Sequence, residues 1–472
     1  MNAKKYLINS YFKAHFRILK CATKYLINLI KSLLFKTEKY KKRKQESYQN
    51  LLDSIIIARA FRQFYRQSLC FIKSKDFKMR YKNHPYPPLL NPSCIDYRDI
   101  SAKLAWELNL PLPPTYSYIY IRIYSCASGA MPVYLKKCGF YLTQSFQDSG
   151  FDDYATFLTI YDELRYGGGQ NIVLDLLVHR FSEKFLYLVD KNVPCLIVVR
   201  DPIGIMKTLA NHTGPAHNKI VHFNMDDDYK QILKQNLKYD NGITPQVGDF
   251  THFVMQSHFA TLESCLAHFK KNAKIIIDTA DLSQDNVYMT LQNLSKKLNF
   301  TMPPKYELEN IENTTLLLHW LNITLELPND IEIIIATPFM INVYYDSNKY
   351  EILRGITTND FKLYIAKNKA EILYQNTLLY KSCLEYLQGF CKNLTQMIKS
   401  ENAKRMSEQD ILRYFADNDE MRAKYKTMFD ENLTTIKQIS PQIIDSWRNY
   451  ANFKNIGEKC NESFTQNHKK AI

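Results

Sequence analysis

Apolar positions along the chain fall into short runs cut by charged or proline-containing breaks. Cys195 to Val199 is fully apolar and β-branched, the pattern of a buried parallel strand. Arg200-Asp201-Pro202 breaks it. Ile203 to Asn211 is helix-compatible apart from Gly204, with Asp201 placed to cap the helix and Pro202 at its first position. Tyr118 to Tyr124 has strand composition, Ser125 to Met131 is small and turn-like, and Pro132 to Gly139 reads as a helix ended by glycine. Lys274 to Asp278 reads as a third strand, with helices predicted before it over His252 to Phe269 and after it over Gln284 to Leu298.

Strands alternating with helices predict an α/β fold with a parallel sheet. Open sheets of this kind hold ligands at the carboxyl ends of their strands. Arg200 would stand at such an end, with Thr208 eight residues on, and the pair can hold one anion. The competing reading is structural: an arginine bonded to Asp201 or to loop carbonyls, and a packed threonine.

Outside this core the pattern changes. Residues 51–80 read as a helix with an apolar face, and Ile100 to Leu108 as a short one with Ser101 as cap. Prolines from Pro85 to Pro92 and from Pro111 to Pro114 interrupt regular structure. Gly167-Gly168-Gly169 is expected to be a loop, followed by helix from Asn171 to about Leu188. Past Met302, Ile331–Ala336, Met340–Tyr345 and Glu351–Arg354 are predicted strands, and Asp360 to Phe453 is predicted mostly helical. The expected division is 1–50, a basic amphipathic segment; 51–115, helix and proline-rich linker; 116–305, the α/β domain; and 306–472, a small β element with a helical region.

Charge alters the picture in one place. The chain has 472 residues and a net charge of +15. Residues 1–44 hold thirteen Lys or Arg against one acid, Glu38, so the remaining chain is nearly balanced. The basic character belongs to a segment and not to the fold, which argues against nucleic acid as the main partner. The segment repeats Lys5-Tyr-Leu-Ile-Asn9 as Lys24-Tyr-Leu-Ile-Asn28, with apolar residues at helical spacing and lysines too frequent for a membrane span. A helix lying on an anionic membrane surface and a solvated basic tail are equal readings, with nucleic acid behind both. No signal-peptide core is apparent. The ten cysteines are scattered, as reduced cytosolic thiols are. The expected location is therefore cytoplasmic, peripheral on the inner membrane.

Three of these elements, in their order, resemble PAPS-dependent sulfotransferases. That family has a strand, a Pro-Lys-Ser-Gly-Thr-Thr loop and a helix. A strand ending Arg-Asp-Pro follows, with a serine eight residues after the arginine, and then a strand ending in a Glu-Asp-Leu-type element. Here Ser128-Gly129 stands in the first loop, Arg200-Asp-Pro202 with Thr208 matches the second motif, and Asp278-Thr-Ala-Asp-Leu282 is similar to the third. The resemblance covers residues 116–302. It implies a three-layer sulfotransferase-like fold of P-loop type. Ser128, Gly129, Arg200 and Thr208 would hold PAPS, with the 3′-phosphate on Arg200 and Thr208. The reaction implied is sulfuryl transfer to a glycan or lipid hydroxyl. The chain departs from the family where its loop lysine should stand: Ala127 is there, and Ala130 and Met131 replace the two threonines. Arg122 and Lys136 are the nearest substitutes in sequence.

A transferase also needs a base. His212, His217, His222, His252, His258, Asp201, Asp278 and Asp281 fall in the region, and His212, after the anion-binding helix, is the preferred one. No metal site is proposed; Asp226-Asp-Asp228 reads as a surface turn or a helix start. Ala105–Pro113 and the Arg200–His212 element also resemble an uncharacterised family of Helicobacter and Campylobacter proteins, a domain of unknown function, which supplies no mechanism. Two further readings stand beside the transferase: a non-catalytic scaffold or membrane-surface protein on a decayed nucleotide fold, and a cell-envelope glycosyltransferase.

Overall fold

The computed structural model describes residues 16–29, 38–143, 152–167, 171–177, 182–215, 218–269, 271–309, 316–318, 320–338, 340–341 and 345–456. Its contacts divide the chain into two units. One comprises Met1–Arg122, Gly139–Ile197 and Ser264–Ile275, the other Ile123–Cys138, Val198–Glu263 and Ile276–Ile472.

The protein is α/β, with a five-stranded parallel sheet. Its strands are β1 (Tyr118–Arg122), β2 (Tyr141–Leu142), β3 (Ile172–Leu177), β4 (Cys195–Val199) and β8 (Lys274–Asp278), in the order β2-β3-β1-β4-β8. In the first unit Ile119 pairs with Leu174 on one side and Cys195 on the other. Every residue of β3 and β4 is buried, as expected of parallel strands covered on both faces. The first unit also holds helices α1 (16–29), α2 (Glu38–Lys73), α3 (Lys75–Tyr81) and α4 (Ala102–Glu107). Ser101 caps α4 through the amide of Leu104, as its sequence indicates. Later in the chain come α5 (Ala130–Lys137), α6 (Asp153–Tyr166), α7 (Glu183–Tyr187), α8 (Pro202–Ala210), α9 (Tyr229–Asn236), α10 (Asp249–His268) and α11 (Val287–Leu298).

The second unit carries its own mixed sheet, in the order β11-β12-β10-β9-β6. Its strands are β6 (His222–Phe223), β9 (Asn322–Leu327), β10 (Ile331–Ala336), β11 (Tyr350–Ile352) and β12 (Lys362–Ala366). A short pair, β5 (Thr213–Pro215) with β7 (Leu237–Tyr239), stands apart. One face of the larger sheet buries Ile323, Leu325, Ile333, Leu363 and Ile365 against Leu387, Phe390 and Leu394 of the helix Thr377–Asn402.

Two expectations fail. Asn171 to Leu188 is not helix: it is β3 followed by the short α7. The run Ile172-Val-Leu-Asp-Leu-Leu177 pairs with β1 and β2, and neighbours on both edges override local helix propensity. Met340–Tyr345 is not a strand over its described part, since Met340 and Ile341 are helical. The region from Asp360 to Phe453 is mostly helical, as expected, but opens with a strand, β12, because Leu363 and Ile365 complete the sheet beside Ile335 and Ile333. Gly168 and Gly169, the first copy of the Lys-Tyr-Leu-Ile-Asn repeat, His217 and the chain after Ile456 lie outside the described residues.

One buried charge anchors the first unit. Asp175 on β3 is 3 % exposed and forms a two-point ion pair with Arg122, Nη2–Oδ2 2.6 Å and Nε–Oδ1 3.0 Å. An isolated carboxylate there would be costly. Arg122→Met should therefore destabilise the protein by about 3–5 kcal/mol in urea unfolding, and Arg122→Met with Asp175→Leu should recover most of that loss.

Candidate anion-binding site

The site lies within the second unit. Its first wall is the turn from Ile123 to Gly129, which leads into α5. Ser125 and Ala127 both adopt left-handed backbone, φ 61° and φ 49°. Non-glycine residues pay steric strain in that region, of order 1 kcal/mol each. The amide of Met131 donates to the carbonyl of Ala127 at 2.9 Å. Gly129 occupies the N-cap of α5 and offers no side-chain cap. The first-turn amides of α5 consequently lack the carboxylate or hydroxyl that satisfies them in α8. Cys126 in the turn is buried, and burial pushes its thiol up to about 12, which rules it out as a thiolate nucleophile.

The second wall is Arg200 and α8. Asp201 caps the helix through the amide of Ile203 at 2.9 Å, with Pro202 at the first position. The Arg200 guanidinium folds back over the helix's first turn. Its Nη1 donates to the Ser125 carbonyl at 3.0 Å and to Thr208 Oγ1 at 2.9 Å, and Thr208 donates to the Gly204 carbonyl at 3.0 Å. Gly204 makes this possible: a Cβ there would stand 2.8 Å from Arg200 Nε. Arg200 is half-buried, and among the described residues no carboxylate lies within ion-pair distance of it. Its hydrogen-bond partners are a carbonyl and a hydroxyl, both neutral. The structure thus brings Arg200 and Thr208 together beside the Ser125–Gly129 turn, with Arg200 on a loop carbonyl and Thr208 buried, as the structural reading has them.

The nearby lysine is already engaged. Lys207 pairs with Glu408 at 2.5 Å. Burial works against the Glu408 charge, but the Lys207 ammonium, with the field of Arg200, holds its carboxyl below the usual range. Asn211 exchanges two bonds of 2.9 Å with the backbone of Met406.

The acids considered as bases are structural. Burial raises the Asp201 carboxyl above the ordinary range despite its backbone hydrogen bonds. Beyond the helix cap it accepts the amides of Asn449 and Tyr450, each at 3.1 Å. Asp278 is buried, accepts the amide of Ala280 at 2.7 Å, and takes the indole N–H of Trp447. Asp281 accepts the amide of Asp278, closing a capping box over Thr279–Leu282. Thr279 donates to the Val199 carbonyl at 2.8 Å. No local sequence signal announces Trp447, Asn449 or Tyr450, which lie more than 160 positions downstream of the acids they hold.

His212 follows α8 at its far end. A nine-residue helix separates it from Arg200, about 13 Å along the axis. Its Nδ1 meets Asp240 Oδ2 at 2.5 Å and its ring stacks on Phe250. His222 pairs with Glu326 at the surface, and His252 stands between Tyr425 and Tyr414, with burial lowering its pKa. Lys136 is exposed in the last turn of α5, two turns from Gly129, and Arg122 is committed to Asp175. Asp228 caps α9 and Asp227 closes a turn on Asn224, so 226–228 is a surface turn as expected.

Residues 276–462 match a family described as Protein of unknown function (DUF2972). The matched span begins inside β8 and includes Asp278, Trp447 and Tyr450, but ends short of Arg200 on the N-terminal side. No curated protein and no solved structure matches the chain.

Two outcomes follow from this geometry. Asp201→Ala should destabilise the protein by about 2–3 kcal/mol in chemical unfolding, because three amides lose their acceptor. His258 is buried in α10 and has no hydrogen-bond partner among the described residues, and burial lowers its pKa to about 3. The unfolded chain binds that proton more readily, so stability should fall as pH drops below about 6.5. His258→Phe should remove about 2 kcal/mol of the loss between pH 7 and pH 5, read by unfolding at the two pH values.

Proposed function

We propose that the protein binds a 3′-phosphorylated adenine nucleotide of the PAPS type, with the 3′-phosphate on Arg200 and Thr208. The observation that carries this reading is the Arg200 guanidinium, which among the described residues has hydrogen bonds to neutral oxygens and no ion pair, beside a helix start without a side-chain cap. A half-buried cation without a carboxylate is matched by a phosphate, which arginine recognises with several N–H groups at once. Ser128 and Gly129 would bring the α5 amides to the other end of the nucleotide. The order of three elements that resembles sulfotransferases supports adenine 3′-phosphates over other anions, as does the hydroxyl kept at Thr208.

The reaction such a nucleotide would serve is sulfuryl transfer to a glycan or lipid hydroxyl. The acceptor oxygen forms a bond to sulfur, the bond from sulfur to the 5′-phosphate oxygen breaks, and a base takes the acceptor's proton. His212, the base expected from the sequence, stands about 13 Å along α8 from Arg200 and from the Ser125–Gly129 turn that Arg200 bonds, so the base is not assigned to it. A second reading, binding without transfer, is favoured by a specific observation. Transfer builds negative charge on the bridging oxygen. The turn offers Ala127 where a lysine would stand, Arg122 is spent on Asp175, and Lys136 stands two turns along α5 from Gly129.

Calorimetric titration with adenosine 3′,5′-bisphosphate and with adenosine 5′-monophosphate tests the binding. The bisphosphate should bind at least tenfold tighter. Arg200→Ala should weaken it 10- to 100-fold, the worth of a charged hydrogen-bond pair, and Thr208→Ala about fivefold. Gly204→Ala should leave the fold intact while displacing Arg200, with a loss close to that of Arg200→Ala. Equal affinity for the two nucleotides, or an Arg200→Ala variant that binds as the wild type does, sinks the reading.

A further inference from the structure

Helix α1 has two apolar faces, and among the described residues only one is packed. Its inner face packs on α2 in an antiparallel hairpin: Asn28 bonds Ser47, Cys21 meets Ser54, and Tyr25 lies against Tyr48. Its outer face, on the side away from these contacts, presents Phe16, Leu19, Leu26 and Ile27, which are 47–71 % exposed. Spacings of three, seven, eight and eleven positions place all four on one side of the helix, with exposed Thr23 between Leu19 and Ile27. Four large apolar residues in one stripe exceed the scattered exposed apolar side chains of an ordinary surface.

The charges around the stripe choose its partner. Residues 16–29 contain no acid. Lys20 and Lys24 are exposed beside the stripe, and among the described residues neither has an ion-pair partner. Lys42 and Arg43 are exposed in the first turns of α2. Arg59, Arg62 and Arg66 form a second exposed row along α2, also without ion pairs among the described residues. Apolar side chains interleaved with unpaired lysines suit the boundary between lipid headgroups and acyl chains, where lysine stems lie along apolar surface and ammonium groups reach the phosphates. No described helix is long and apolar enough to cross a membrane, so α1 would lie in the plane of the surface.

We infer that the outer face of α1 is a docking surface for an anionic phospholipid bilayer, with Leu19 and Leu26 inserted and Lys20 and Lys24 on the headgroups. This goes beyond the nucleotide reading and does not rest on it.

Co-sedimentation of the full chain with vesicles tests it, comparing pure phosphatidylcholine with phosphatidylcholine containing one third phosphatidylserine. Binding should be at least tenfold tighter to the anionic vesicles and should weaken in high salt. L19E/L26E should lose at least tenfold on anionic vesicles, and so should K20E/K24E. All four residues are exposed, so both variants should keep the wild-type circular dichroism. Failure to bind anionic vesicles overturns the inference, as does binding that L19E/L26E leaves unchanged. Two other occupants have their own signatures. A dimer in analytical ultracentrifugation that L19E/L26E disperses would put a second copy on the stripe, and tight binding of a single-stranded RNA without vesicle binding would put nucleic acid there; either outcome overturns it too.

Discussion

The carboxylate of Asp201 is the interaction on which the site depends. One oxygen caps α8 and thereby sets where Arg200 leaves β4. The other accepts two consecutive amides, of Asn449 and Tyr450, from a segment about 250 positions away. Burial makes the charge costly and the amides offset much of that cost. Asp278 repeats the arrangement at the end of β8, with a capped turn on one oxygen and the Trp447 indole on the other. Two strand-end acids are thus fastened to one C-terminal stretch, Trp447 to Tyr450. Neither acid has the exposed lone pair a general base requires.

The local grammar of the site was readable in the residues. An apolar β-branched run, then Arg-Asp-Pro, then a helix-forming stretch, specified strand, cap and first helical turn, because each is decided within a few positions. The eight-residue spacing of Arg200 and Thr208 became a direct hydrogen bond for the same reason. Gly204, which interrupted the helical pattern, turned out to leave the space that Arg200 Nε occupies.

What failed was decided at a distance. Nothing in Ile172–Leu177 distinguishes a buried helix from a buried strand until β1 and β2 flank it. β12 was hidden inside a helical-looking region because its pairing partner, β10, ends 26 positions earlier. The role of Trp447 was invisible for a like reason: an indole among helical residues carries no mark of the carboxylate it will meet. The family match over 276–462 spans this C-terminal stretch and not the Arg200 element, so the two kinds of signal cover complementary parts of one site.

The charges at the site argue for separating binding from chemistry. Arg200 is held by neutral acceptors, so a phosphate placed there meets a cation already oriented and only partly desolvated. The turn before α5 differs. Ser125 and Ala127 keep a strained backbone that glycine would adopt more cheaply, which points to a turn shape worth its strain, yet no cationic side chain projects from it. Such a turn can gather an anion with backbone amides, whose dipoles are fixed, but it supplies less charge than an ammonium to a bond that is breaking. Of the two halves of a transfer site, the half that recognises the nucleotide is therefore the better equipped in this chain, and any catalysis has to draw its positive charge from the substrate side or from the α5 amides themselves.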